Sequence, residues 1–228
     1  MNYPAISVIV PVYNGERFLA EALRSIGQQD YQPLDVLVVD DGSTDGSASI
    51  AVAQPGVRVL RRAHGGLGAT LNHGIAQATG ELFAFLDADD RWLPDKLTRQ
   101  VRALMANPAL DMVFGHVRQF RQADADGEIA IISEAQPGIH RGVMLVWRAA
   151  LARVGAFAED PGVHGFVDWY ARARIAGLRS AVLPEVLYER RIHDDNLGRR
   201  TPDAQRQSYL RALRLSIAHR RPDGAAGA

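Results

Sequence analysis

The sequence contains no cysteine, which excludes disulfides and thiolate metal sites, so any metal must be held by oxygen or imidazole. Lysine is nearly absent too: of 26 basic side chains only Lys96 is a lysine. The others are arginines, whose planar forks favour bidentate phosphate contacts wherever one reaches a site. Net charge is also missing, because 26 acidic residues offset the 26 basic ones, and no general attraction to nucleic acid follows. No apolar run approaches the ~20 residues that a membrane-spanning helix needs. The opening MNYPAISVIVPVYNG has neither the basic leader nor the long apolar core of a signal peptide, so a cytoplasmic protein is expected. A chain of 228 residues can bury a full core, and neither internal repeats nor a long linker divide it.

What is present is a run of short apolar segments that stop on acids. Gly80–Asp90, GELFAFLDADD, has no polar alternation from Leu82 to Leu86, which suits a strand covered on both faces, and it ends on Asp87, Asp89 and Asp90. Three carboxylates within four residues repel one another unless something cationic lies between them; Asp-x-Asp on such a loop suits Mg²⁺ or Mn²⁺ bridged to a phosphate, or else a solvated turn with Asp90 or Asp95 capping the next helix. Ile6–Val10 predicts a first buried strand, Leu34–Val39 a second that ends on Asp40 and Asp41, and Val57–Leu60 a third. Helical spacing predicts helices over Glu16–Ile26, from a Ser43 or Thr44 cap to Ala53, over Ala69–Ala78 and over Pro94–Asn107, the last with Leu97, Val101, Leu104 and Met105 apolar. Strands alternating with helices predict an α/β fold with a doubly wound, mostly parallel sheet, and right-handed crossovers bring both acidic loops to one edge.

The later half reads as mixed or antiparallel: strands over Met112–Phe120, Glu128–Ile132, Gly142–Trp147 and Val182–Tyr188, helices over Arg148–Val154 and Phe166–Ile175, and a loop over Ala158–Gly165. A basic amphipathic helix near Asp203–Arg221 closes the chain. Arg206, Arg211 and Arg214 on it suit either a solvated face or weak peripheral contact with the inner membrane.

Taken in order, SVIVPVYNGERFLAEALRSIGQQDY, VLVVDDGSTDGS, NHGIAQATGELFAFLDADD, VGAF, VDWYARARIAGL and RRIHDDNL resemble a family 2 glycosyltransferase of the GT-A fold, over nearly all of Ile6–Leu197. The resemblance implies one domain over residues 1–200, with a nucleotide-sugar half to about 110 and an acceptor half to about 200, followed by a basic tail over 201–228. It also implies an inverting transferase that uses a nucleotide-diphosphate sugar, UDP-linked in most relatives, a Mn²⁺ or Mg²⁺ cofactor, and an acceptor of unknown class. On the donor side it puts Pro11, Tyr13, Asn14 and Glu16 around the nucleotide, Asp40 on the base, Gly66 and Asn72 beside it, and Asp87 at the ribose or the metal. Asp89 is matched to the principal metal ligand, His193 to a diphosphate or metal contact, and Asp168 to the general base, with Asp160 as the alternative base. Trp169 is open to two roles, stacking on an acceptor sugar or packing in the core.

Two departures stand out. Leu71 occupies the position where relatives often carry a donor-contacting arginine, which would leave phosphate to Arg61, Arg62 or His64, and Val167 replaces a frequent glutamate before the base. A catalytically silent nucleotide-sugar-binding subunit is the rival from another class. A dinucleotide-dependent dehydrogenase is excluded by the lack of G-x-G-x-x-G after the first strand.

Overall fold

The computed structural model describes residues 3–122, 127–160, 163 and 165–194. The basic C-terminal helix, and with it the membrane contact, lies outside the described residues. So does most of the turn before Glu128.

The first strand, β1 (Ile6–Val12), is buried at every position because it is paired on both edges and covered on both faces. After α1 (Leu19–Gly27) come β2 (Leu34–Asp40), α2 (Ser47–Val52), β3 (Val57–Arg61), α3 (Leu67–Gln77) and β4 (Leu82–Phe85). These strands stand in the order β3-β2-β1-β4, all parallel. The chain steps outward twice and then returns past β1, so right-handed crossovers put α1 and α2 on one face and α3 on the other. The reversal lies between β1 and β4, where an open sheet leaves a crevice at the strands' carboxyl ends. Both loops that end on acids flank it.

The remaining sheet is mixed, as the sequence predicts. Beyond β5 (Arg91–Trp92) and α4 (Lys96–Ala106) come β6 (Met112–Gln122), β7 (Ile129–Ile131), β8 (Gln136–Gly138), β9 (Leu145–Trp147), α5 (Arg148–Val154), α6 (Gly165–Ile175) and β10 (Ser180–Arg191). β9 lies antiparallel between β4 and β6, β10 runs parallel to β6, and β5 closes the edge antiparallel to β10. The run predicted as one strand over Gly142–Trp147 is in fact a 3-10 turn, Arg141–Val143, followed by β9. Gly142 makes the turn possible, since a Cβ there would stand 2.5 Å from the Tyr188 ring.

The inward face of α4 differs from its predicted apolar stripe. Lys96 and Gln100 join Leu97, Val101 and Leu104 inside, while Met105 is exposed. The Lys96 ammonium stands 4.2 Å over the Trp92 ring and donates to Gln100 Oε1 at 2.8 Å; the Gln100 amide donates onward to the carbonyls of Val113 and Val143. Burial pushes the Lys96 amine well below its ordinary range. The unfolded chain therefore binds one proton more than the folded one between that lowered value and about 10.4, and stability rises with pH across the window. Lys96→Met should flatten the slope of Tm against pH measured from 7 to 10, and raise Tm at pH 7 by about 2–4 °C for each kcal/mol recovered.

Candidate functional site

The loops after β1 and β2 are zipped together by their small polar residues. Asn14 N–H donates to Ser43 Oγ (3.0 Å) and Asn14 Oδ1 accepts from Thr44 N–H (2.8 Å). Glu16 Oε2 accepts from Gly46 N–H (2.7 Å), and Asp45 Oδ2 accepts from Glu16 N–H (3.0 Å). Ser43 and Thr44, predicted as helix caps, serve this zipper instead, and α2 begins later, at Ser47, with no side-chain cap.

Behind the zipper Asp40 is fully buried: its carboxylate accepts from Ser43 N–H and Arg61 Nε. Asp41 accepts from Gly65 and Gly66 N–H and pairs with Arg62 (2.7 Å) and His64 (2.9 Å). All three basic residues expected to reach phosphate are thus tied to the β2 acids. Pro11 is buried within β1 opposite Val39. Tyr13 faces outward, half exposed, and stacks on His64 with ring centroids 4.2 Å apart.

On the other side of the crevice, α3 carries the segment before α6. Gly66 sits at φ +85°, in the left-handed region, and a Cβ on Gly68 would lie 2.0 Å from the Ala158 carbonyl oxygen. Asn72 Oδ1 accepts from Phe157 N–H, and its amide donates to Phe157 O and Glu159, so Asn72 bridges the two halves. Leu71 is buried in the core, so the departure from the family pattern falls on a packing position. Phe157 meets Phe85, at the end of β4, edge-on at 5.8 Å, and Trp169 lies 5.6 Å from Phe157. Trp169 is fully buried with its Nε1 donating to Gly155 O, which makes it a core residue rather than a platform for sugar.

These contacts pack the first turn of α6, which carries Asp168, against Phe157, and Phe157 in turn against the end of β4. Asp168 is buried, and its Oδ2 accepts from Arg172 Nε at 2.9 Å. Arg172 also donates to the carbonyls of Val154 and Ala156, which fixes it against the end of α5.

Each of the three acids after β4 has its own partner. Arg141 donates to Asp87. Asp89 Oδ2 lies 3.1 Å from His193 Nε2, across 104 residues of chain. Asp90 turns inward to accept from the Tyr188 hydroxyl and from Arg191 N–H (2.6 Å), so it pins β10 rather than capping α4; Asp95 occupies that cap position and pairs with Arg99. Burial first, and then the neighbouring Asp89 and Asp87 charges, push the Asp90 carboxyl well above its ordinary range, and burial raises the Tyr188 phenol likewise. Next to Arg141, burial lowers the His140 imidazole to about 3 and keeps it neutral.

Arg191 joins the loop to the strand. Its side chain is almost wholly buried between the Phe18 and Phe120 rings, at 4.5 Å from each centroid. It donates to Asp89 O (3.0 Å), Gln122 Oε1 (2.6 Å) and Glu21. Sequence reasoning missed Arg141, Tyr188 and Glu21, which lie on elements with no acidic or glycine-rich signature. Arg191 could have been found, because it stands within RRIHDDNL, two residues before His193.

The donor set fits a divalent cation. Two adjacent corners of an octahedron with ~2.1 Å bonds are about 3 Å apart, close to the 3.1 Å between the Asp89 oxygen and the His193 nitrogen. No group of three or more metal-ligating side chains occurs among the described residues. One or two protein ligands with the rest supplied by substrate phosphate and water is the usual pattern for Mg²⁺, and the Asp89 carboxylate suits Mn²⁺ as well. Among the described residues no helix is long and apolar enough to cross a membrane.

Comparison with known proteins agrees with the fold. The family model described as Glycosyl transferase family 2 matches residues 7–158. The chain is 30% identical to the putative glycosyltransferase EpsE of Bacillus subtilis, over 87% of its own length and 77% of that protein. It is 28% identical to an uncharacterized glycosyltransferase of Rickettsia typhi over 84% of its own length, but spans only 65% of that relative. Among solved structures it superposes on S. aureus TarS in complex with UDP-GlcNAc, with TM-score 0.73 and 20% identity over 94% of this chain and 66% of that one. It also superposes on the mannosyltransferase PcManGT of Pyrobaculum calidifontis in complex with GDP-Man and Mn²⁺, with TM-score 0.68 and 24% identity over 100% of this chain and 77% of that one. At such identities the structural likeness speaks for the GT-A fold. The family match spans most of the chain and both loops that flank the crevice, and the chain belongs to glycosyl transferase family 2.

Proposed function

We propose that the protein transfers a sugar from a nucleotide-diphosphate donor, UDP-linked, to an acceptor hydroxyl with inversion at the anomeric carbon. The observation that carries this reading is the Asp89–His193 pair, 3.1 Å apart at the switch point of the sheet. Tyr13 offers its ring to the base, while Asn14, Glu16 and Asp40 hold the loops that shape the nucleotide pocket, and Asp87 meets the ribose. Gly66 opens α3 with its N–H on Asp41, and Asn72 holds the segment before α6 beside the crevice. Asp89 and His193 are the residues that would hold Mn²⁺ or Mg²⁺, which when bound offsets the charge developing on the leaving diphosphate.

Asp168 is the general base. It takes the proton from the acceptor hydroxyl, whose oxygen attacks the anomeric carbon on the face opposite the diphosphate as the bond to phosphate breaks. A single displacement inverts that centre. TarS and PcManGT, which share the fold, are complexed with UDP-GlcNAc and with GDP-Man, which supports a nucleotide sugar as the donor.

A thermal-shift panel of UDP- and GDP-sugars with Mn²⁺ tests the donor. A donor at a hundred times its Kd stabilises by about 2.7 kcal/mol, or roughly 5–10 °C in Tm. A flat panel with every nucleotide sugar would remove the proposal. A silent binding subunit would show the shift without slow UDP release in the absence of acceptor, and an enzyme shows both.

A further inference from the structure

A cavity of about 360 Å³ opens between α1 and the β5 edge of the sheet, and none of the proposed donor or catalytic residues lines it. Its walls carry Arg24 from α1 and Gln28 just past its end, Arg91 and Trp92 from β5, and Arg118 and Glu189 from the paired strands β6 and β10. The volume falls within the range of small-ligand pockets, but the lining is charged rather than apolar.

The charges around it do not balance. Glu189 is shared by Arg91 and Arg118, and Glu21, also on the wall, is shared by Arg91 and Arg191. Two carboxylates therefore serve three guanidiniums. On the wall itself Arg24, exposed on α1 three residues after Glu21, joins Arg91 and Arg118 against Glu21 and Glu189, which leaves a surplus of one positive charge lining the cavity. Arg91 is held in place rather than waving: its guanidinium stacks 4.2 Å over Phe120, with Nε on Glu189 and Nη1 on Glu21. A fork fixed by stacking loses little freedom on meeting an oxyanion, and fork geometry matches phosphate oxygens.

We propose that this cavity is an anion site, separate from the donor crevice, that takes a phosphoryl group, with Arg24, Arg91 and Arg118 as its cationic walls and the Gln28 amide as a further donor. The inference does not depend on the sugar-transfer reading. The site does, however, share Glu21 with Arg191, and through it touches the loop that carries Asp89.

Calorimetric titration with inorganic phosphate, in EDTA and at constant ionic strength, tests it directly. Wild-type protein should show saturable binding at one site, weakened about tenfold or more by Arg24→Ala, which alters only an exposed helix position, and likewise by Arg118→Gln. UDP binding measured separately with Mg²⁺ should be the same in all three proteins. No saturable phosphate binding, or equal binding in wild type and both variants, overturns the proposal, the second result putting phosphate in the donor crevice. Failure of UDP binding alone would count against the transferase reading and leave this site standing. Vesicles containing phosphatidic acid distinguish the source. Sedimentation that is lost in Arg24→Ala and competed by phosphate identifies a lipid headgroup, and phosphate binding without sedimentation identifies a soluble phosphate.

Discussion

Asp168→Asn should lower the rate of UDP release from a bound donor by about 10²–10⁴ while leaving donor affinity unchanged. Asparagine keeps the shape of the side chain and can still accept from Arg172, but it cannot take the proton of an attacking hydroxyl. The competing role for Asp168 is structural, as the partner of Arg172 one helical turn on. Asp168 is buried, so losing that pair would move Tm rather than rate. Rate and Tm measured on the same variant therefore separate the two roles. If Asp168→Asn turns over normally and Asp160→Asn does not, the base is Asp160.

Arg191→Met should cost about 3–5 kcal/mol of stability, on the order of 10 °C in Tm, because it leaves buried groups without their cation. Glu21, the Asp89 carbonyl and Gln122 all accept from this one guanidinium. Arg191→Lys should recover little. A lysine places one point charge where the fork serves three acceptors and stacks between Phe18 and Phe120. Thermal melts of both variants check the claim, and a loss below about 2 °C in each would show that the clamp is dispensable.

The parallel half of the fold was legible because its inner strands are covered on both faces, so that Ile6–Val10 reads as a largely apolar, β-branched run and Leu82–Leu86 as an unbroken apolar run ending on acids. The pairing of Asp89 with His193 was legible only through the family resemblance, since nothing local in a His-Asp-Asp-Asn loop announces a partner 104 residues away. Other features depend on tertiary packing that periodicity does not carry. Lys96 points inward because Trp92 and Gln100 meet it, and Arg141 reaches Asp87 because the turn at Gly142 folds against Tyr188. The exposed Met105 shows the same limit from the other side: it keeps helical spacing with Leu97 and Val101, yet it faces outward on the last turn of α4.

The claim on which the rest turns is that Asp89 and His193 hold the divalent cation of a bound nucleotide diphosphate. Titration of Mn²⁺ into protein saturated with UDP, followed by loss of the free-ion paramagnetic resonance signal, tests it most directly. One tight Mn²⁺ per chain is expected in the wild type, with an affinity lower by at least about a hundredfold in Asp89→Ala, since even partners one shell further out cost 10–100-fold. Equal Mn²⁺ affinity in the two proteins would contradict it.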